Sequence, residues 1–144
     1  MKDADILRGC RQRPCGGTLG RMIDATKAFS GFSVRDIPEA KAFYEDVLGL
    51  SVGEDHGMLS IDLGSGHHVL AYPQGEDHEP ASFTVLNFPV ADVDAAVDEL
   101  MARGVAFLHY DGMTDERGVN RRGGPLIAWF TDPSGNIMSV IAAQ

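Results

Sequence analysis

Apolar positions along the chain switch between two periods, and the switch happens twice. In FSGFSV, residues 29–34, one parity holds Ser30, Phe32 and Val34 and the other Phe29, Gly31 and Ser33, as in a strand with two unlike faces. DIPEAKAFYEDVLG follows, with Ile37, Ala40, Phe43, Tyr44, Val47 and Leu48 at helical spacing. Asp36 is the predicted N-cap, Glu39 lies three residues on as in a capping box, and Gly49 supplies the left-handed stop. LSVGE from Leu50, GMLSIDL from Gly57 and HHVLAYP from His67 read as three strands, with Gly64 and Gly66 at the last turn. The polar stretch GEDHEPA, residues 75–81, reads as a linker.

After the linker the order begins again. FTVLNFPVADVDAAVDELMARG predicts a strand, an Asp92 cap, and a helix with Val93, Ala96, Val97, Leu100 and Met101 on one stripe, closing at Gly104. VAFLHYDG, PLIAWFT and NIMSVIA predict three further strands, the last two joined by the DPSG turn from Asp132. VRDIPEA at Val34 and VADVDAA at Val90 match as V-x-D, an aliphatic residue, and a closing Ala. The expected fold is α+β: two βαβββ modules, residues 27–74 and 81–144, each completing the core of the other within one domain over residues 22–144.

Composition narrows the partners. With 144 residues, 44% of them hydrophobic, the chain has the size and apolar content of one ordinary globular domain. The formal net charge of -9 leaves no excess of cations to release counterions from phosphates, so nucleic acid is not expected as a partner. No apolar run approaches the roughly 20 residues that cross a bilayer, and no membrane association is expected. Residues 1–21 lack an apolar core and carry Asp3 and Asp5, which speaks against a secretory or transit peptide and makes the expected location cytoplasmic. The same residues are otherwise basic, with Lys2, Arg8, Arg11, Arg13 and Arg21, and are expected to be a disordered tail or a start assigned too far upstream, with Met22 as the true one. Cys10 and Cys15 lie in that tail without a His or third Cys before His56, so they read as free thiols rather than a metal or redox pair.

Familiar catalytic signatures are missing. The modules carry neither a GxGxxG loop nor a Walker lysine, and no G-x-S-x-G elbow nominates a nucleophile. The carboxylate pairs Glu54–Asp55 and Asp98–Glu99 read as solubilising.

VRDIPEAKAFYEDVLGL, VADVDAAVDELMARGV and AWFTDPSGNIMSVI, in that order, resemble the vicinal oxygen chelate superfamily, which includes glyoxalase I, bleomycin resistance proteins and extradiol dioxygenases. The resemblance runs from Phe29 to the C-terminus. It implies two paired modules curled into a U-shaped mixed sheet around a cleft, commonly in a homodimer. It also implies a divalent metal held in the cleft by His or Glu from the first and fourth strands of each module, for the metal-dependent lyase, isomerase and dioxygenase activities of the family.

At the positions that the resemblance assigns to those ligands this chain has Phe29, Leu70, Val85 and Ser139, with one residue of register open at Leu70. Apolar side chains have no lone pairs, and one hydroxyl is a poor ligand, so no metal or other cofactor is expected. His67 and His68 point to opposite strand faces and do not chelate one ion together. A divalent metal in an unusual register, with His68 in the cleft, is the alternative.

The cleft is then expected to bind a small apolar or aromatic molecule, as bleomycin resistance proteins do without catalysis. Its expected lining includes Phe29, Ser33, His68, Leu70, Tyr72, Val85, Asn87, Trp129 and Ser139. Trp129 is either packing or a stacking wall, and its parity opposite Ser139 places it toward the cleft. Asn87 bonds either the ligand or backbone, and His68 is either a satisfied histidine or a general base. Residues 112–125, GMTDERGVNRRGGP, read as a polar, Gly-rich mobile lid in which Arg121 and Arg122 either attract an anionic group on the ligand or are solvated surface charge.

Overall fold

Two aspartates start the two long helices in the same way. Asp36 Oδ2 accepts from the Glu39 amide at 2.9 Å and Asp92 Oδ1 from the Ala95 amide at 3.0 Å, each satisfying an amide that a helix start leaves without a partner. In the computed structural model, which describes residues 22–144, these helices are α1 (Ile37–Ala42) and α2 (Val93–Ala102). The expectations for residues 1–21, with Cys10 and Cys15, lie outside the described residues. Gly49 and Gly104 take φ of 70° and 88° just beyond the helical segments, as the stop positions require. The spacing did not foresee that α1 widens into a π turn over Phe43–Val47. Nor does the capping box close: the Glu39 carboxylate lies 3.8 Å from Arg35.

The strands form two four-stranded sheets. β1 (Ser30–Val34), β2 (Val52–Asp55), β3 (Met58–Gly64) and β4 (His67–Pro73) pair in the order β1-β4-β3-β2. β5 (Thr84–Val90), β6 (Val119–Asn120), β7 (Ile127–Thr131) and β8 (Ile137–Ala142) pair as β5-β8-β7-β6. In both sheets the first strand runs parallel to the fourth and the other pairs are antiparallel. This is the expected α+β class of two βαβββ modules. Register makes the modules superposable by residue: Gly31 lies opposite Leu70, and Asn87 opposite Ser139, so Leu70 and Ser139 are equivalent positions.

One predicted strand fails. VAFLHYDG was expected to be a strand of the second module, but it makes only a single bridge, Phe107 to Phe130, and one further bond from the Leu108 amide to the Trp129 carbonyl at 2.8 Å. Burial outweighs strand pairing there: Val105 and Phe107 turn into the core, and the Phe107 and Phe130 rings pack 5.7 Å apart. The edge strand is instead the two-residue β6, from the segment read as a lid. Gly118 permits this approach, because at φ 86° it passes so close that a Cβ would lie 3.0 Å from the Leu108 carbonyl and 3.1 Å from Phe107 Cβ.

A single core joins both modules. Phe32 and Val34 of β1, Leu59 and Ile61 of β3, Phe130 of β7 and Met138 of β8 belong to one buried cluster under the helices. A polar joint supplements it at the β7–β8 turn. Asp132 accepts from Tyr44 Oη at 2.7 Å across the modules, and Asn136 Nδ2 donates to the Ser33 carbonyl at 2.8 Å. The Arg35 amide donates to Ser134 Oγ at 2.8 Å. These bonds fix β1 against the start of β8, and hence the two halves of the concave face against each other.

Candidate functional site

The strand parity that the core does not use lines a concavity. In the first sheet it carries Gly31, Ser33, His68, Leu70 and Tyr72, and in the second Asn87, Trp129, Ile137 and Ser139, by the observed register. Two cavities open there. One, about 280 Å³, is bounded by Gly31, Ser33, Tyr72, Val85 and Asn136. The other, about 200 Å³, is bounded by Thr84, Tyr110, Met113, Trp129 and Ile137. Phe83, 69% exposed, belongs to both walls, so the cavities are neighbours.

Trp129 is half-buried, and Tyr110 meets it edge-on with ring centroids 5.5 Å apart at 87°. Both rings line the smaller cavity, and their perpendicular contact braces the indole on its wall. Behind it, Ser139 is fully buried and donates to Asn87 Oδ1 at 2.6 Å, so the amide oxygen of Asn87 is taken by a side chain rather than by backbone. His68 stacks on Phe29 with centroids 4.9 Å apart at 27°, and Phe29 remains 57% exposed at the rim. Ser33 sits deeper and contacts His78 of the linker, a residue that the sequence left in a polar loop. Because those two residues are 45 apart in sequence, only the folded linker brings them together.

Arg121 leaves the site. Its guanidinium bonds Asp94 of α2, at 2.5 Å from Nη2, and Asp115, at 2.8 Å from Nε, on the helix side of the second sheet. Arg117 joins Asp94 at 3.0 Å and also reaches Asp98. The expected anion-attracting arginine is therefore neutralised by carboxylates, and the segment read as a mobile lid is tied to α2 by ion pairs. Its start does reach the concavity, through Met113, next to Tyr110 just before it.

The latch has a pH signature. The bond from Arg121, with the charges of Arg121 and Arg117, holds the Asp94 carboxyl below its ordinary range; the bond from Arg121 and the Val119 amide do the same for Asp115. Both groups bind protons less tightly folded than unfolded. Their contribution to stability is therefore present above the unfolded value near 4 and is lost as pH falls through the lowered folded values. Urea midpoints between pH 6 and 2.5 are expected to fall more steeply for the wild type than for Asp94→Asn, and more so at low salt. Parallel curves would mean that the pairs are screened to nothing.

The positions that the resemblance assigns to metal ligands can be compared with the structure. Register confirms that Leu70 and Ser139 are equivalent, and Phe29 and Val85 stand five residues before the equivalent Val34 and Val90. A phenyl ring, two aliphatic side chains and one hydroxyl already donating to Asn87 do not fit a divalent ion. Among the described residues no three His, Cys, Asp or Glu side chains come together as a metal-binding group.

The chain matches the Glyoxalase/Bleomycin resistance protein/Dioxygenase superfamily over residues 25–140. It is 30% identical over 132 residues to the mitochondrial methylmalonyl-CoA epimerase of Bos taurus, an alignment covering 81% of this chain and 69% of that protein. Among solved structures it is similar to TnmS3, an antibiotic binding protein from Streptomyces sp. CB03234, at 25% identity and a TM-score of 0.57, covering 85% of this chain and all of the other. UcmS2, at 20% identity and a TM-score of 0.64, covers 84% of this chain and all of its own and shares the fold.

Proposed function

From the chain's membership of the Glyoxalase/Bleomycin resistance protein/Dioxygenase superfamily, we propose that it binds a small, largely apolar or aromatic molecule in its concave cleft without using a metal. The observation that carries this reading is the 200 Å³ cavity walled by Trp129, braced edge-on by Tyr110, with Phe83 beside it. A planar ring laid on the indole gains stacking and buries apolar surface, while Ser33, His68 and Tyr72 offer polar contacts along the same face. Supporting it, the side chains at the family's ligand positions are Phe29, Leu70, Val85 and Ser139, and the similar TnmS3 is described as an antibiotic binding protein.

The test is a thermal-shift screen of chelator-treated protein against planar antibiotics and aromatic metabolites. A ligand at 100 times its Kd stabilises the folded state by about 2.7 kcal/mol, a readily measured shift. The reading requires hits that survive chelation. Hits that need added metal would favour the second reading, an enzyme of the glyoxalase type, for which the 30% identity to the bovine epimerase speaks.

Two further expectations belong to this proposal: the protein works in the cytoplasm, and it pairs as a homodimer. Exposed Phe29 and Phe83 at the cleft rim support pairing, and sedimentation of a single monomeric species at micromolar concentration would contradict it.

A further inference from the structure

Ser33, on the wall of the larger cavity, meets His78 of the linker with a defined proton arrangement. Ser33 Oγ lies 2.8 Å from His78 Nδ1, and His78 Nε2 lies 2.9 Å from the Ser134 carbonyl oxygen. A carbonyl only accepts, so in the neutral ring Nε2 carries the proton and Nδ1 presents a lone pair. The Ser33 hydroxyl therefore donates to Nδ1. A hydroxyl, an imidazole base and an acceptor that fixes the tautomer follow one another in the order that activates a serine.

The surroundings suit chemistry rather than packing alone. Ser33 lines the 280 Å³ cavity with Gly31 and Tyr72, and Tyr72 is its register partner on β4. Gly31 keeps that cavity open, because any side chain there would project from a Cβ lying 3.9 Å from the Tyr72 ring. The Tyr72 phenol stands on the same wall, where it offers a donor to the oxygen of a bound carbonyl.

We propose that Ser33 is a nucleophile activated by His78, and that the cleft hydrolyses small apolar esters through an acyl-serine. Ser33 Oγ bonds to the ester carbonyl carbon while its proton passes to Nδ1, and the imidazolium keeps its Nε2 proton on Ser134. Collapse breaks the ester C–O bond, and the leaving oxygen takes the proton from Nδ1. Water then repeats the sequence on the acyl-serine, giving a carboxylic acid and restoring the hydroxyl. The inference rests on the cleft admitting small molecules and adds a reaction to that binding.

A fluorophosphonate probe with mass spectrometry tests it on the full chain. One adduct is expected, on the peptide of residues 28–35, lost in Ser33→Ala and kept in Ser30→Ala. His78→Gln, whose amide still bridges Ser33 and the turn, is expected to slow labelling roughly 100-fold with its melting temperature little changed. p-Nitrophenyl acetate should give a burst of about one equivalent of nitrophenolate in the wild type only. Absence of a Ser33 adduct, or equal labelling rates in wild type and His78→Gln, overturns the proposal and leaves the contact as a staple between linker and turn. Trp129 fluorescence separates the failures: saturable quenching without an adduct removes only the nucleophile, whereas neither signal removes the binding reading as well.

Discussion

Asp132→Ala is expected to lower the free energy of unfolding by about 3 kcal/mol or more, the largest loss expected for a single polar truncation among the described residues. The carboxylate is buried and accepts from Tyr44 Oη at 2.7 Å, the Ser134 amide at 2.9 Å, the Asn136 amide at 2.8 Å and Asn136 Nδ2 at 3.1 Å. Truncation leaves these donors behind rather than removing them, and each buried donor without a partner costs about 1–3 kcal/mol. The Tyr44 phenol is fully buried, and burial with the adjacent Asp132 charge pushes its pKa far above the ordinary value, so it stays a donor at any working pH. The effect also reaches the site, because this turn holds Asn136 on the Ser33 carbonyl and Ser134 on Arg35. Urea unfolding with an unchanged m-value measures it, and a loss below about 1 kcal/mol would show that the modules hold together by apolar burial alone.

Trp129→Ala is expected to weaken the binding of a planar aromatic ligand by about 10- to 30-fold, equivalent to roughly 1.4–2 kcal/mol. The indole supplies the broad wall of the smaller cavity, and its removal takes away both the stacking partner and the apolar area buried with it. Tyr110 loses its edge-on contact and gains room to turn, so part of the loss comes from a wall that is no longer fixed. Calorimetry suits this variant because the fluorophore is gone. Unchanged affinity would place the ligand in the Ser33 cavity or outside the concavity altogether.

The sequence made the modules legible wherever a single period dominates over a whole element. The Asp36 and Asp92 caps, β4 at HHVLAYP and β5 within FTVLNFPV emerge because capping chemistry and strand alternation act locally. The same local reading failed at VAFLHYDG, whose apolar residues are strand-like but are drawn into the core, and at β6, whose two residues sit in polar sequence. Parity paired Trp129 with Ser139 correctly, as the antiparallel register shows. It had no means of finding Asn87 bonded to Ser139, or Ser33 to His78, since those contacts join residues 52 and 45 apart. Arg121 was misplaced for a related reason: the direction in which a long loop folds back depends on carboxylates of α2 that are more than 20 residues away in sequence.

The central claim, a metal-free cleft that holds an apolar or aromatic guest, rests most heavily on Trp129, the single tryptophan of the chain. Its emission on excitation at a wavelength that spares tyrosine is therefore a local reporter of the cavity. Titration of chelator-treated protein with hits from the ligand screen should change that emission saturably, with one site per chain and no change on adding divalent metal. Ligands that bind the folded protein while leaving Trp129 emission unaltered, or that quench it only when metal is restored, would contradict the account.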